Sequence, residues 1–156
     1  MNIKNILGIG FFLSLSIFSL YSMHESLQEK RDRLMYSIWT DDFYTIQMLL
    51  NEGLSPNFSW GCYNITPLQE AIYRGDYDIV EALLDHGANQ NFERPFYEAA
   101  LRNNIPIMKL LIQRGANWKI HYDAIVNPPP GTGKDITEPT KRWLKEYATL
   151  QPKGAE

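Results

Sequence analysis

The sequence predicts an all-α solenoid of about three helix-pair units, with a leader helix at the N-terminal end and a capping helix at the C-terminal end. Three observations predict it. Similar segments close on Gly53, Gly87 and Gly115, which are 34 and 28 residues apart. Within the best-written segment a second break, Gly75-Asp76, ends one helix and caps the next, dividing the unit into two stretches that form a helix pair. Within those stretches apolar residues recur at three and four, as in Ile79, Val80, Leu83 and Leu84, so one helical face is apolar.

The chain opens on residues 6–21, which carry no charge, with Lys4 before them and His24-Glu25 after. A short basic start, an apolar core and small residues such as Ser19 or Ser22 at the far end are the layout of a signal peptide. The rival is an uncleaved membrane anchor. That stretch lies at the lower limit of the roughly 17–25 apolar residues needed to cross a bilayer, and its serines make it a poor anchor. Residues 1–23 are therefore expected to be a signal peptide or an anchor, and either places the rest outside the cytoplasm: secreted or periplasmic if cleaved, single-pass and membrane-anchored if not. A soluble helix is the third reading. Leu27, Arg31, Leu34 and Ile38 then predict a helix soon after the leader.

The first unit is expected over about 32–57. Setting the units in register places Asp32 opposite Thr66, Leu34 opposite Leu68 and Asp42 opposite Asp76. It is the most degenerate of the three, as suits an end unit with one face in water. The second unit, 58–91, is the clearest. Thr66 caps a helix, Pro67 fits its first position, Gly75 ends it, and Asp76 caps the next. The third, 92–118, has Arg94-Pro95-Phe96 in place of Thr66-Pro67-Leu68, Ala99 and Ala100 in place of Ala71 and Ile72, and Asn103 in place of Gly75. Asparagine is the next best residue for a left-handed helix end. Its shortness comes from a trimmed connection at 91–94 and not from a lost helix.

Residues 119–156 are expected to cap the stack. A shortened helix is predicted over 122–127, Pro128-Pro129-Pro130-Gly131 then enforces a loop, and a last helix begins near Thr137 or Glu138. In that helix Trp143, Leu144, Tyr147 and Leu150 form an apolar stripe, while Lys141, Arg142, Lys145 and Glu146 point to water.

With Thr66-Pro67-Leu68, the small Ala71, Gly75-Asp76, Ile79-Val80, Leu83-Leu84 and Gly87-Ala88-Asn89 on the page, residues 32–118 resemble the ankyrin repeat family. Its unit repeats at about 33 residues. The chain departs from the pattern at Gln69, where the family has a histidine that bonds between turns, and at the trimmed finger of the third unit. The resemblance implies a non-catalytic binding module whose concave surface is made by first helices and loop tips, with the residue two places after the motif alanine pointing inward. In this chain those positions hold Trp39, Tyr73 and Leu101, followed by Thr40, Arg74 and Arg102. The long connection between the first two units adds Phe58, Trp60 and Tyr63, which a loop leaves at least partly exposed. The competing role for Trp39, Tyr73 and Trp60 is packing against neighbouring repeats.

Chemistry is sparse. One cysteine, Cys62, allows neither an internal disulfide nor a zinc cluster, and a loop position is expected for it. His24, His86 and His121 lack ligand spacing, with His86 expected in the last turn of a helix. Pro130-Gly131-Thr132-Gly133-Lys134 looks like the end of a phosphate-binding loop. The full pattern requires glycine at 128 and a hydroxyl residue at 135, where Pro128 and Asp135 stand, and no strand precedes it. Asn57-Phe58-Ser59 and Asn64-Ile65-Thr66 match the glycosylation acceptor pattern, and Thr66 already has a structural task. A net charge of −3 offers no argument for nucleic acid. The expected function is that of an exported protein-interaction module without cofactor or metal, touching a membrane only through an uncleaved leader. The alternatives are an accessory or inhibitory subunit of an envelope enzyme and, third, a nucleotide-binding enzyme.

Overall fold

The computed structural model describes residues 25–89, 95–129, 131 and 136–151. The leader at 1–23, the trimmed connection at 91–94 and most of the phosphate-loop-like segment lie outside them. Among the described residues the fold is all-α. The helices are α1 (Leu27–Thr40), α2 (Phe43–Asn51), α3 (Pro67–Arg74), α4 (Tyr77–Asp85), α5 (Pro95–Leu101), α6 (Ile105–Gln113), α7 (Tyr122–Val126) and α8 (Glu138–Leu150). A 3₁₀ turn, Trp118–His121, leads into α7. Among the described residues the expected strand-free architecture holds, apart from an isolated bridge between Trp60 and Ile65.

Helices pair as α1 with α2, α3 with α4, and α5 with α6, and the pairs stack. Stacking runs along two tiers: α1, α3, α5 and the 3₁₀ turn form an inner tier, while α2, α4 and α6 form an outer one. The reason is chemical repetition. Asp42, Asp76 and Asn104 each accept, at 3.1 Å, the backbone N–H three residues on, which starts every outer helix the same way. Each inner helix ends in a reversal closed by a bond to the carbonyl of the small residue Ser37, Ala71 or Ala99. Those three residues are buried, so the helices can approach closely there.

The core is one continuous cluster running from Leu34, Met35 and Ile38 through Ile72, Leu83 and Phe96 to Ile107, Leu111, Ile125 and Leu144. Polar contacts register neighbouring units. Asn57 donates through Nδ2 to the Gly87 carbonyl at 2.8 Å and accepts from the Asn89 N–H at 2.9 Å. His86, just past the end of α4, lies 2.8 Å from the Ala82 carbonyl and 3.1 Å from Asn51 Oδ1. Arg114 reaches back to Asp85 at 2.8 Å.

Several expectations need correction. The helix expected soon after the leader is α1, and Asp32, set in register with the helix cap Thr66, lies inside it without capping it. Ser26 starts α1 through a reciprocal capping box with Glu29. Phe58 is not exposed, because its loop folds back on α1 and sets the ring 5.2 Å from the Arg31 guanidinium. Leu150 leaves the predicted stripe and is 80% exposed, since only Leu144 and Trp143 of that stripe join the core and Tyr147 stacks on Trp143. Lys141 is half-buried and paired with Glu138 at 3.2 Å, not simply solvated. The departure at Gln69 has a local reason: its side chain accepts from the Thr66 N–H at 2.8 Å and so completes the cap of α3.

At the C-terminal end α8 pairs with α7, so the cap is itself a hairpin with a shortened first arm. Its start is fastened to the third unit: the Thr137 N–H, the Thr137 hydroxyl and the Thr140 hydroxyl all donate to Asn103 Oδ1, at 2.7, 2.9 and 2.9 Å. No described helix is long and apolar enough to cross a membrane.

Candidate functional site

The inner tier carries the residues singled out from the sequence. Trp39 sits near the end of α1, Tyr73 near the end of α3 and Leu101 at the end of α5, one per unit. Trp39 is 40% and Tyr73 57% exposed, whereas Leu101 is half-buried against the core. The row is therefore aromatic at its N-terminal end and closes over at α5.

Trp39 is held by Trp60. Their rings meet edge to face with centroids 4.8 Å apart, and the Trp60 indole N–H donates to Asp32 Oδ1 at 2.7 Å. The loop bearing Trp60 is a small hairpin in which Trp60 and Ile65 exchange backbone bonds of 2.9 and 3.1 Å. Gly61 and Asn64, both at positive φ, turn the chain, leaving Tyr63 at the tip 85% exposed. Cys62 is exposed on this tip as a free thiol.

Tyr73 is held from the other side. The Arg102 guanidinium lies 3.7 Å from its ring centroid, and Arg102 Nε pairs with Glu98 Oε1 at 3.4 Å. Arg74 makes no such contact among the described residues; its charge acts weakly to lower the pKa of Asp41 at the α1–α2 reversal. That pull is outweighed there by a hydrogen bond and repulsion from Asp76, which hold the Asp41 carboxyl above the ordinary aspartate value. The seven selected residues thus fall into two groups, Trp39 with Trp60, and Tyr73 with Arg102 and Tyr63, while Leu101 and Arg74 stand apart.

Two sets of neighbours were missed. Tyr36, exposed on α1, aligns with Glu70 on α3 and Glu98 on α5. The same register that aligned Trp39 with Tyr73 would have found them. A groove of about 280 Å³ runs between Tyr63 and Tyr73 over Ile65, Gln69, Glu70 and Glu98. Among the described residues no group of three His, Cys, Asp or Glu side chains is placed to hold a metal ion.

Stacked helical hairpins with capped reversals define a repeat solenoid. Residues 34–122, more than half of the chain, match the family model described as ankyrin repeats in three copies. The chain belongs to the ankyrin repeat family. It is similar to the ankyrin repeat, SAM and basic leucine zipper domain-containing protein 1 of Carollia perspicillata, at 37% identity over 67 residues covering 43% of this chain and 14% of that protein. The corresponding protein of Neofelis nebulosa is 36% identical over 67 residues, with the same coverage of each chain. The ankyrin repeat and KH domain-containing protein mask-1 of Caenorhabditis elegans is 32% identical over 91 residues, covering 55% of this chain and 4% of that protein. The chain therefore spans a small part of these relatives' length. Ankyrin repeats generally mediate protein–protein interaction and are typically non-catalytic, which indicates a protein partner.

Proposed function

We propose that this chain is an exported, non-catalytic module that holds a protein partner on the inner-tier face around Trp39 and Tyr73. The observation that carries the reading is the pair of large aromatics on adjacent stacked helices, each exposed yet fixed by a ring contact with Trp60 or Arg102. Aromatics and arginine bury much area while losing few rotamers, and here those rotamers are already restricted before a partner arrives. Binding by rigid presentation follows. The uncharged stretch at 6–21 behind Lys4 supports export, whether the leader is removed or retained as an anchor.

Partner capture from the envelope and secreted fractions tests it, comparing wild type with a Trp39→Ala, Tyr73→Ala double variant of matched helical content. Loss of a reproducible stoichiometric partner is expected. Undiminished capture by the folded double variant removes the proposed surface. N-terminal sequencing of the mature chain from the same fractions tests export, and a chain confined to the cytoplasm with Met1 intact overturns it.

A further inference from the structure

We infer that the groove between Tyr63 and Tyr73 seats a cationic side chain, a lysine or arginine of the partner's segment, with Glu70 as its counter-charge. The inference rests on the proposed binding face and adds the chemistry of what enters it. The groove's lining brings together two tyrosines, Tyr63 and Tyr73, and two glutamates, Glu70 and Glu98. Ring faces and carboxylates present negative charge together, and among the described residues no Lys or Arg lines the groove. At about 280 Å³ it has room for one long side chain from a larger partner.

The protein already places one cation at the groove's margin. Arg102 covers Tyr73 at 3.7 Å while pairing with Glu98 at 3.4 Å, so a guanidinium is attracted by the same combination of ring and carboxylate. Glu98 is engaged by that contact. Glu70 forms no ion pair with any described cation, and Tyr63, 85% exposed, lines the same groove as Tyr73. A second cation entering between the rings would meet the unused carboxylate. Charge complementarity therefore favours a basic segment over a neutral or acidic one.

The probe is an N-acetylated, C-amidated peptide of four Gly-Lys repeats, titrated into the full chain while NMR follows the rings of Tyr63 and Tyr73. Shifts at both rings are expected, with at least about threefold weaker binding for Glu70→Gln and for Tyr63→Ala, the scale of one partly exposed charge or ring contact. Glu146→Gln, an equal charge change on α8, should leave binding unaltered. The same peptide with every lysine acetylated should not move the rings. Equal binding of the acetylated peptide, or wild-type affinity in both Glu70→Gln and Tyr63→Ala, overturns the inference. In the partner-capture experiment, dependence on Trp39 and Tyr73 combined with indifference to Glu70→Gln and Tyr63→Ala removes only the cation seat. Indifference to Trp39 and Tyr73 removes the face itself.

Discussion

The indole N–H of Trp60 donates to the carboxylate of Asp32 at 2.7 Å, across 28 residues of sequence. This bond ties the tip-bearing hairpin to α1 and sets Trp60 against Trp39. Trp60→Phe keeps a ring and removes the donor, so it should cost about 1 kcal/mol, the net worth of a typical hydrogen bond. Urea unfolding measures the loss. Combined with Asp32→Ala the losses should fall short of additive, and strict additivity would show that the two residues do not couple.

Leu83 is fully buried in α4, whose neighbours are α2, α3 and α6. Leu83→Ala should destabilise by about 2–5 kcal/mol through lost contacts and a residual cavity. Tyr44→Ala, at an exposed position on α2, should stay within about 0.5 kcal/mol of wild type. Thermal melts of both variants make the comparison.

Thr66 caps α3 by accepting the Gln69 N–H at 3.2 Å, and Gln69 returns the bond to the Thr66 N–H. Thr66→Ala should cost about 1 kcal/mol, and Thr66→Ser should recover most of it. Equal losses in the two variants would mean that the methyl group matters and the hydroxyl does not.

Acid should act on this fold in two directions. Asp42 is held below the ordinary aspartate value by the Thr45 hydroxyl and N–H, and Glu52 below the ordinary glutamate value by Lys30. The stability these two contribute is present above the unfolded-state values and is lost as pH falls through the folded ones. Asp41 is shifted the other way by Asp76, so its folded form takes up a proton first, and its contribution grows as pH falls through the raised value. Asp41→Asn can donate to Asp76 at every pH. It should be more stable than wild type near neutrality, with the difference shrinking as pH falls through the raised Asp41 value. Denaturation midpoints measured from pH 7 to pH 3 decide the matter, and a constant difference would exclude the shared-proton contact.

Much of the fold was legible because each helix announces its own ends. Thr66, Asp76 and Asn104 start helices, Gly75, Gly87 and Asn103 end them, and these signals are local in sequence. What was not legible arose from contacts between distant segments. Nothing near Phe58 announces that its loop will fold back under Arg31. Trp39, Tyr73 and Leu101 do lie one per unit on the inner tier, as the register required. Glu70 and Glu98 lack the size that marks Trp39 and Tyr73 in the sequence, although the same register identifies them.

The three bonds received by the Asn103 side-chain oxygen bear on redesign by averaging repeats. Asn103 has φ 55°, and the equivalent position in the middle unit is Gly75, so a consensus rule would install glycine there. That exchange would ease the backbone and, in the same stroke, unlatch α8 from the body of the protein. Here the residue that looks like an imperfect copy is the clasp.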